Sequence, residues 1–193
     1  MLRLQPVKIL IILLSLLTFY MEDAFAQNKV VVIPLFETVK EPIEPYFPLP
    51  DTGQTTSHTT TFGEDSDYTR NPPSYTDNGD GTVTDNVTGL VWQKTDDNTT
   101  RNWDDAWTYC QALSLGGETD WHLPGANELM SIVYYGTINP AIDSFAFSGT
   151  NATLYWSATT YASSSGSAWG VNFYSGGVDG HSKSDPHYVR CVR

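Results

Sequence analysis

Apolar and polar positions alternate as in a β-strand over the first part of residues 74–193. Asn-Gly and Asp-Gly dipeptides at 78–81 and a Thr-Gly dipeptide at 88–89 border short runs rich in Thr, Val and Trp. Turn dipeptides between strand-forming runs are typical of antiparallel hairpins. The pattern therefore predicts a β-hairpin or meander over residues 82–93.

A helical repeat of apolar residues follows this β region. Asn102 is a predicted N-cap, and the acidic residues directly after it favour the first turn of a helix. The apolar residues that share one helical face are Trp103, Ala106, Trp107, Cys110 and Leu113. We expect this helix to end at 116–117, where two glycines occur, and a second helix to run from after Pro124 to Gly136.

Strand-like alternation returns in the C-terminal third of the chain. Residues 155–159 and 168–174 predict two strands, and the second places on one face Trp169, Val171 and Phe173. Residues 188–192 predict a final strand, with Val189 and Cys191 on one face. Helices followed by several strands indicate an α+β domain, which we predict over residues 74–193.

The N-terminus has the pattern of a secretory signal peptide. Arg3 and Lys8 precede an apolar run at 9–19, and an Ala-Phe-Ala sequence supplies small residues before Gln27. A membrane anchor is the alternative, but the run is much shorter than the ~20 residues that span a bilayer. We therefore expect residues 1–26 to be removed on export to the periplasm or cell surface, with no membrane span afterwards.

Residues 27–73 have the composition of an extended linker. Repeated prolines and Thr tracts remove backbone donors and bury little apolar surface. One short apolar stretch at 30–33 could form a strand that docks on the domain or on a partner chain. The predicted organisation is thus a signal peptide, a Pro/Thr-rich linker and one C-terminal domain.

The chain has two cysteines, Cys110 and Cys191. In an exported protein two thiols most simply form one disulfide. Closing a loop of 81 residues would stabilise the fold by roughly 4–5 kcal/mol in the chain-entropy model. Neither cysteine has a second Cys or His at metal-ligand spacing, and a paired cysteine is unavailable as a catalytic thiol.

The formal net charge is −12, from 22 acidic and 10 basic residues. Phosphate contacts need clustered Lys and Arg, and no such cluster occurs here. Charge therefore argues against nucleic acid and anionic membrane surfaces as partners. It leaves divalent cations as a weaker alternative.

Several sequence blocks resemble a known family. They read DNGDGTVTD and TGLVWQK at 77–94, WHLP at 121–124, YWSA at 155–158 and YVRCVR at 188–193. In this order they resemble the bacterial domain-of-unknown-function family that includes the C-terminal domain of the Legionella collagen-like adhesin.

The resemblance implies a C-type-lectin-like domain, with two helices and a mostly antiparallel, twisted sheet, related in shape to the formylglycine-generating enzymes. It also implies adhesion to sulfated polysaccharides by a homotrimer. This chain departs from the pattern, because it lacks a collagen-like Gly repeat and is acidic, and His122 stands where relatives often have Arg. The resemblance therefore does not predict a sulfated ligand for this chain.

Two groups of residues could hold a metal ion. Asp77, Asp80 and Asp85 could offer oxygens to calcium, but the EF-hand pattern is absent and hairpin turns explain these residues better. His181, Asp185 and His187 could bind a metal, but they lie in a loop-like segment with Gly, Ser and Pro. The sequence favours neither site, and no cofactor is predicted.

Catalytic motifs are lacking. There is no Gly-x-Ser-x-Gly elbow, and the reactive cysteines that the lectin-like enzymes need are here assigned to a disulfide. Most tryptophans fall on predicted buried faces. Since binding residues concentrate in loops, the candidate ligand contacts are Tyr161, Ser163, Ser164, Ser165, Asp179, His181 and Lys183.

The sequence thus favours an exported, non-enzymatic module that binds a glycan or an envelope protein. The alternative is a structural protein that assembles through residues 30–33. A third hypothesis is an unrecognised hydrolase in the same loops.

Overall fold

The computed structural model describes residues 49–68 and 70–193. The predicted signal peptide (1–26) and the strand considered at 30–33 lie outside the described residues, so both stay predictions. Within the described part, no helix is both long and apolar enough to cross a bilayer.

The described residues form an α+β domain with two α-helices and two three-stranded antiparallel sheets. The first sheet has the order β1-β2-β3 and the second the order β4-β5-β6. The elements are β1 Tyr75–Asp77, β2 Thr82–Asp85, β3 Val91–Gln93, α1 Trp103–Ala112, α2 Ala126–Met130, β4 Leu154–Thr160, β5 Ser167–Asn172 and β6 Gly177–Ser182. The predicted fold class is confirmed, although the strands form two sheets.

The first sheet follows from its turn residues. Gly79 and Gly81 both have left-handed φ angles, 77° and 91°, which glycine adopts without steric cost. The turn that they form brings β1 against β2. Val83 pairs with Trp92 across β2 and β3, and both side chains are fully buried. The predicted hairpin or meander is therefore confirmed.

Both predicted helices form, and both are shorter than predicted. The Asn102 side chain accepts a hydrogen bond from the Asp105 backbone N–H at 2.9 Å, which confirms the N-cap. The first helix then ends before the two glycines. The second helix ends at Met130 rather than near Gly136, because the Ser131 hydroxyl donates to the Glu128 carbonyl at 2.7 Å and the next turn tightens.

The β5 strand of the second sheet contacts both core clusters. Val171 and Phe173 are fully buried and pack with Tyr155 of β4 in one hydrophobic cluster. Trp169, on the same face, is only partly buried. Ala168, on the opposite face of β5, is fully buried and packs in the second core cluster. The predicted strand is therefore confirmed, but both of its faces contact the core, so burial along β5 does not follow the predicted alternation.

The C-terminal segment joins the two sheets instead of forming the predicted strand. Val192 makes isolated bridges to Trp92 and His122, and Tyr188 makes one to Tyr155. A segment that changes partner at every few residues cannot extend a ladder along either sheet. Its side chains still alternate as predicted, with Val189 and Cys191 in one core cluster and with Tyr188 and Val192 packed in the other.

The predicted disulfide is present between Cys110 of α1 and Cys191 of the C-terminal segment, with 5.5 Å between their Cα atoms. Both residues are fully buried. The cross-link therefore ties the first helix to the end of the chain inside the second core cluster.

Arg190, in the same segment, carries a fully buried guanidinium. Its nitrogens donate to the backbone oxygens of Gln93 (2.7 Å) and Lys94 and to the Thr150 hydroxyl (2.7 Å). The Asp96 carboxylate lies 3.7 Å away and is also buried. Since a buried charge without partners is very unfavourable, this set of contacts holds the C-terminal segment against the end of β3.

The described part of the predicted linker contacts the domain. The Tyr135 backbone N–H donates to the Thr52 carbonyl at 2.8 Å. Gly53 is buried against the Tyr134 ring, has a φ of 80° and leaves no room for a Cβ atom. These residues are therefore seated on the domain, whereas the predicted boundaries of the 27–73 segment stay predictions.

Candidate functional site

The loop between β4 and β5 carries four of the predicted ligand contacts. The Tyr161 N–H donates to the Ser167 carbonyl (2.9 Å), and the Ser164 N–H donates to the Tyr161 carbonyl (3.0 Å). These backbone bonds close the loop tightly. Residues 163–165 are exposed, so their hydroxyls lie at the surface.

An aromatic pair lies at the base of this loop. The Tyr161 and Trp169 rings meet edge to face, with their centroids 4.7 Å apart. Trp169 pairs with Gly180 of β6, and a Cβ atom on that glycine would lie 3.5 Å from the Tyr161 ring. The Tyr161 ring therefore lies over the strand within van der Waals distance of Gly180. Both rings are partly exposed, as in aromatic surfaces that contact ligands.

Lys183 joins this loop to the first helix. Its ammonium lies 3.8 Å from the centroid of the Trp103 ring, a cation–π contact, and donates to the Thr160 hydroxyl at 3.0 Å. Its backbone N–H donates to the Gly166 carbonyl at 2.9 Å. A cation, a partly exposed indole and the β4–β5 loop are therefore held together.

His181 belongs to a different group, with Asp185 and His187. One ligand atom from each side chain lies within 4.8 Å of the others, and the two imidazole centroids are 4.9 Å apart. The Nε2 atom of His187 is buried and has no hydrogen-bond partner in the described part of the chain. Burial lowers the pKa of His187, and His181 lowers it further while Asp185 opposes the shift.

Asp179 is exposed on β6 and pairs with Gly170. It precedes His181 by two residues and so lies on the same face of the strand. The structure therefore joins Tyr161, residues 163–165 and Lys183 through one loop contact, and it places the other two predicted residues along β6.

The acidic residues considered for calcium have other contacts. Asp85 is buried and accepts hydrogen bonds from two backbone N–H groups and the Thr88 hydroxyl. The bond from the Lys94 ammonium lowers the pKa of Asp77, and the bond from the Thr82 hydroxyl lowers the pKa of Asp80. In the described part, the group of three His, Cys, Asp or Glu side chains at metal-ligand distance is the histidine group instead.

Two aromatic residues of this surface were assigned to the core from sequence. Helical spacing placed Trp103 on the buried face of α1, yet Ala106 and Cys110 are the residues of that helix that are fully buried. Strand alternation assigned Trp169 to the core in the same way. Periodicity identifies the inward face of an element but not where along the element the core ends.

The described residues define a disulfide-linked α+β domain with an exposed loop surface on its second sheet. The chain belongs to the Lcl C-terminal domain family, whose sequence model matches residues 81–193. This result confirms the resemblance in the sequence blocks. A search of curated proteins finds no match.

Proposed function

We propose that this protein is a non-catalytic binding module that acts outside the cytoplasm and recognises a glycan or an envelope protein. Its binding surface consists of the β4–β5 loop and the first residues after β6. The observation that carries the proposal is the connection through Lys183, which joins the β4–β5 loop, at Thr160 and Gly166, to the partly exposed Trp103 ring. That loop also carries the exposed serines at 163–165 and the partly exposed Tyr161 ring.

This chemistry suits a carbohydrate better than an apolar ligand. Sugar rings present C–H faces that pack on aromatic side chains, and their hydroxyls exchange hydrogen bonds with groups such as those at 163–165. The Tyr161–Trp169 pair supplies an aromatic surface, and Lys183 adds a single positive charge. One cation on a protein of net charge −12 favours a neutral or weakly acidic ligand over a highly sulfated one.

The disulfide supports an extracytoplasmic location. Cross-links of this kind persist in oxidising compartments and are rare in the bacterial cytoplasm, and Cys110 and Cys191 are the two cysteines of the chain. Mass spectrometry of secreted or periplasmic material should find Gln27 at the N-terminus. An intact Met1 in that material would contradict the proposed export.

A glycan array and an envelope-protein pull-down, each with and without calcium, test the binding function. We expect the wild-type protein to bind at least one class of glycan or one envelope protein. Tyr161→Ala should abolish most of that signal, because it removes one ring of the aromatic surface. Absence of binding to every glycan and envelope protein would contradict the proposal.

Tyr174→Ala is the matched control, because Tyr174 is also an exposed aromatic residue, 50% accessible, but follows β5 at its other end. Its binding should equal that of the wild type. An equal loss in both tyrosine variants would show that the β4–β5 loop is not the site.

A further inference from the structure

We propose that His181, Asp185 and His187 form a binding site for a borderline divalent transition-metal ion, of which Zn²⁺ is the representative. The inference is independent of the binding function proposed above. It rests on the arrangement of these three side chains and on the polar atom that the fold leaves without a partner.

The backbone around the three residues is fixed by hydrogen bonds to other elements. His187 exchanges two backbone hydrogen bonds with Arg101, at 2.8 and 2.9 Å, and His181 is paired with Ala168 in the sheet. Asp185 lies between them in a turn, with its N–H donating to the Ser182 carbonyl at 2.9 Å. Three potential ligands are therefore positioned before a metal arrives, which lowers the entropic cost of binding.

The packing of His187 also supports a metal site. Its ring meets the buried Trp156 ring edge to face, with a centroid distance of 4.7 Å, and this contact restricts its orientation. Its Nε2 atom is buried and has no hydrogen-bond partner among the described residues. An orphaned buried polar atom is unfavourable, and coordination of a metal ion would satisfy it.

The spacing of the ligand atoms fits a site that closes on the metal. They lie within 4.8 Å of one another, whereas tetrahedral zinc with bonds of about 2.0–2.1 Å needs its ligands about 3.3 Å apart. His187 is held by its contact with Trp156, so rotation of the partly exposed His181 and Asp185 side chains would supply the difference. Water would occupy the remaining coordination position.

The ligand types decide which metal should bind. Two imidazoles and one carboxylate suit Zn²⁺ and its neighbours in the transition series, whereas Ca²⁺ takes six to eight oxygen ligands. We therefore expect Zn²⁺ to bind and Ca²⁺ not to compete for it.

Zinc titration of the purified protein, expressed from the full chain and stripped of metal, tests the site. In competition with a chromophoric chelator, we expect one tight equivalent of Zn²⁺ per chain, unaffected by excess Ca²⁺. His181→Ala and His187→Ala should each weaken this binding by more than the roughly 10- to 100-fold that follows loss of a residue that only orients a ligand. Co²⁺ should give visible d–d absorption bands that Asp185→Ala removes.

His122→Ala is the matched control, because this histidine lies elsewhere, with its Nε2 atom 3.6 Å from the Glu128 carboxylate. Its zinc affinity should equal that of the wild type. All variants are compared at a temperature at which circular dichroism shows them folded. Absence of tight zinc binding, unchanged affinity in His181→Ala, or an equal loss in His122→Ala would overturn the proposal. None of these outcomes bears on glycan binding, which the array measures without added zinc.

Discussion

The turns of the first sheet and the loops of the second sheet use their polar side chains in different ways. In the first sheet, Asp77, Asp80 and Asp85 accept hydrogen bonds or pair with Lys94 inside their own turns. In the second sheet, residues 163–165 lie at an exposed surface, and the hydroxyl of Ser164 has only an exposed partner, the Ser167 hydroxyl at 3.3 Å. Polar groups that the fold uses are not free for a ligand, so we place binding in the second sheet.

This difference gives opposite expectations for substitutions in the two regions. Removal of a polar side chain that the fold uses should lower the free energy of unfolding and leave ligand affinity unchanged once the protein is folded. Removal of a polar side chain from the loops of the second sheet should weaken ligand binding and leave the free energy of unfolding unchanged. The predictions below test this separation.

The largest loss of stability should come from removal of the disulfide, which lies in the second core cluster. Replacement of Cys110 and Cys191 by Ala should lower the free energy of unfolding by up to about 4–5 kcal/mol, because the unfolded chain regains its freedom. Chemical denaturation measures this loss, and ligand binding at low temperature should persist. Reductant should produce a similar loss in the wild type. Two free thiols in a peptide map of the oxidised protein would contradict the prediction.

The next largest loss should come from the buried guanidinium. Arg190→Met leaves Asp96 buried without its ionic partner and removes the donors to Gln93 and Lys94. Loss of one member of a buried ion pair costs about 3–5 kcal/mol. Arg193→Ala is the control, because Arg193 pairs with Asp120 at the surface and its removal should leave the denaturation midpoint almost unchanged. Equal midpoints for both variants would contradict the prediction.

A smaller loss of stability should distinguish a carboxylate of the first sheet from a carboxylate of the second. Asp85→Ala removes a buried acceptor from two backbone N–H groups and one hydroxyl, which should cost about 1–3 kcal/mol. Asp179→Ala, on exposed β6, should leave the denaturation curve unchanged. If Asp179→Ala destabilised the protein as much as Asp85→Ala does, the two regions would not differ as we propose.

The parts of this fold that local rules govern were predictable from the sequence. The Asn102 cap, the glycine turns of the first sheet and the pairing of the two cysteines follow from residue types and spacing. The burial of Arg190 was not predictable, since its partners Asp96 and Thr150 are distant in sequence and meet it only in the folded domain. The final strand was predicted wrongly for a related reason, because alternation does not reveal that Val192 bridges both Trp92 of β3 and the loop residue His122.

The candidate site shows the same limit. The loop residues at 161–165 could be proposed because glycine and serine runs mark exposed loops. The contact between Lys183 and Trp103 joins a loop to a helix that lies far away in the sequence. Residue spacing carries no information about such contacts.

The smallest effect on stability should come from the exposed serines. Simultaneous replacement of residues 163–165 by Ala should leave the thermal midpoint unchanged, because substitutions of exposed side chains usually have little effect. The same variant should bind the ligand more weakly. A lowered midpoint would show that the fold uses these hydroxyls.

The most direct test is the affinity for the ligand identified on the array, measured for a loop variant and a turn variant. Tyr161→Ala combined with Lys183→Ala should abolish binding while the protein stays folded. Asp77→Ala, which breaks the pair with Lys94 in the first sheet, should bind as the wild type does. Full affinity in the loop variant, or loss of affinity in the turn variant, would contradict the assignment of binding to the second sheet.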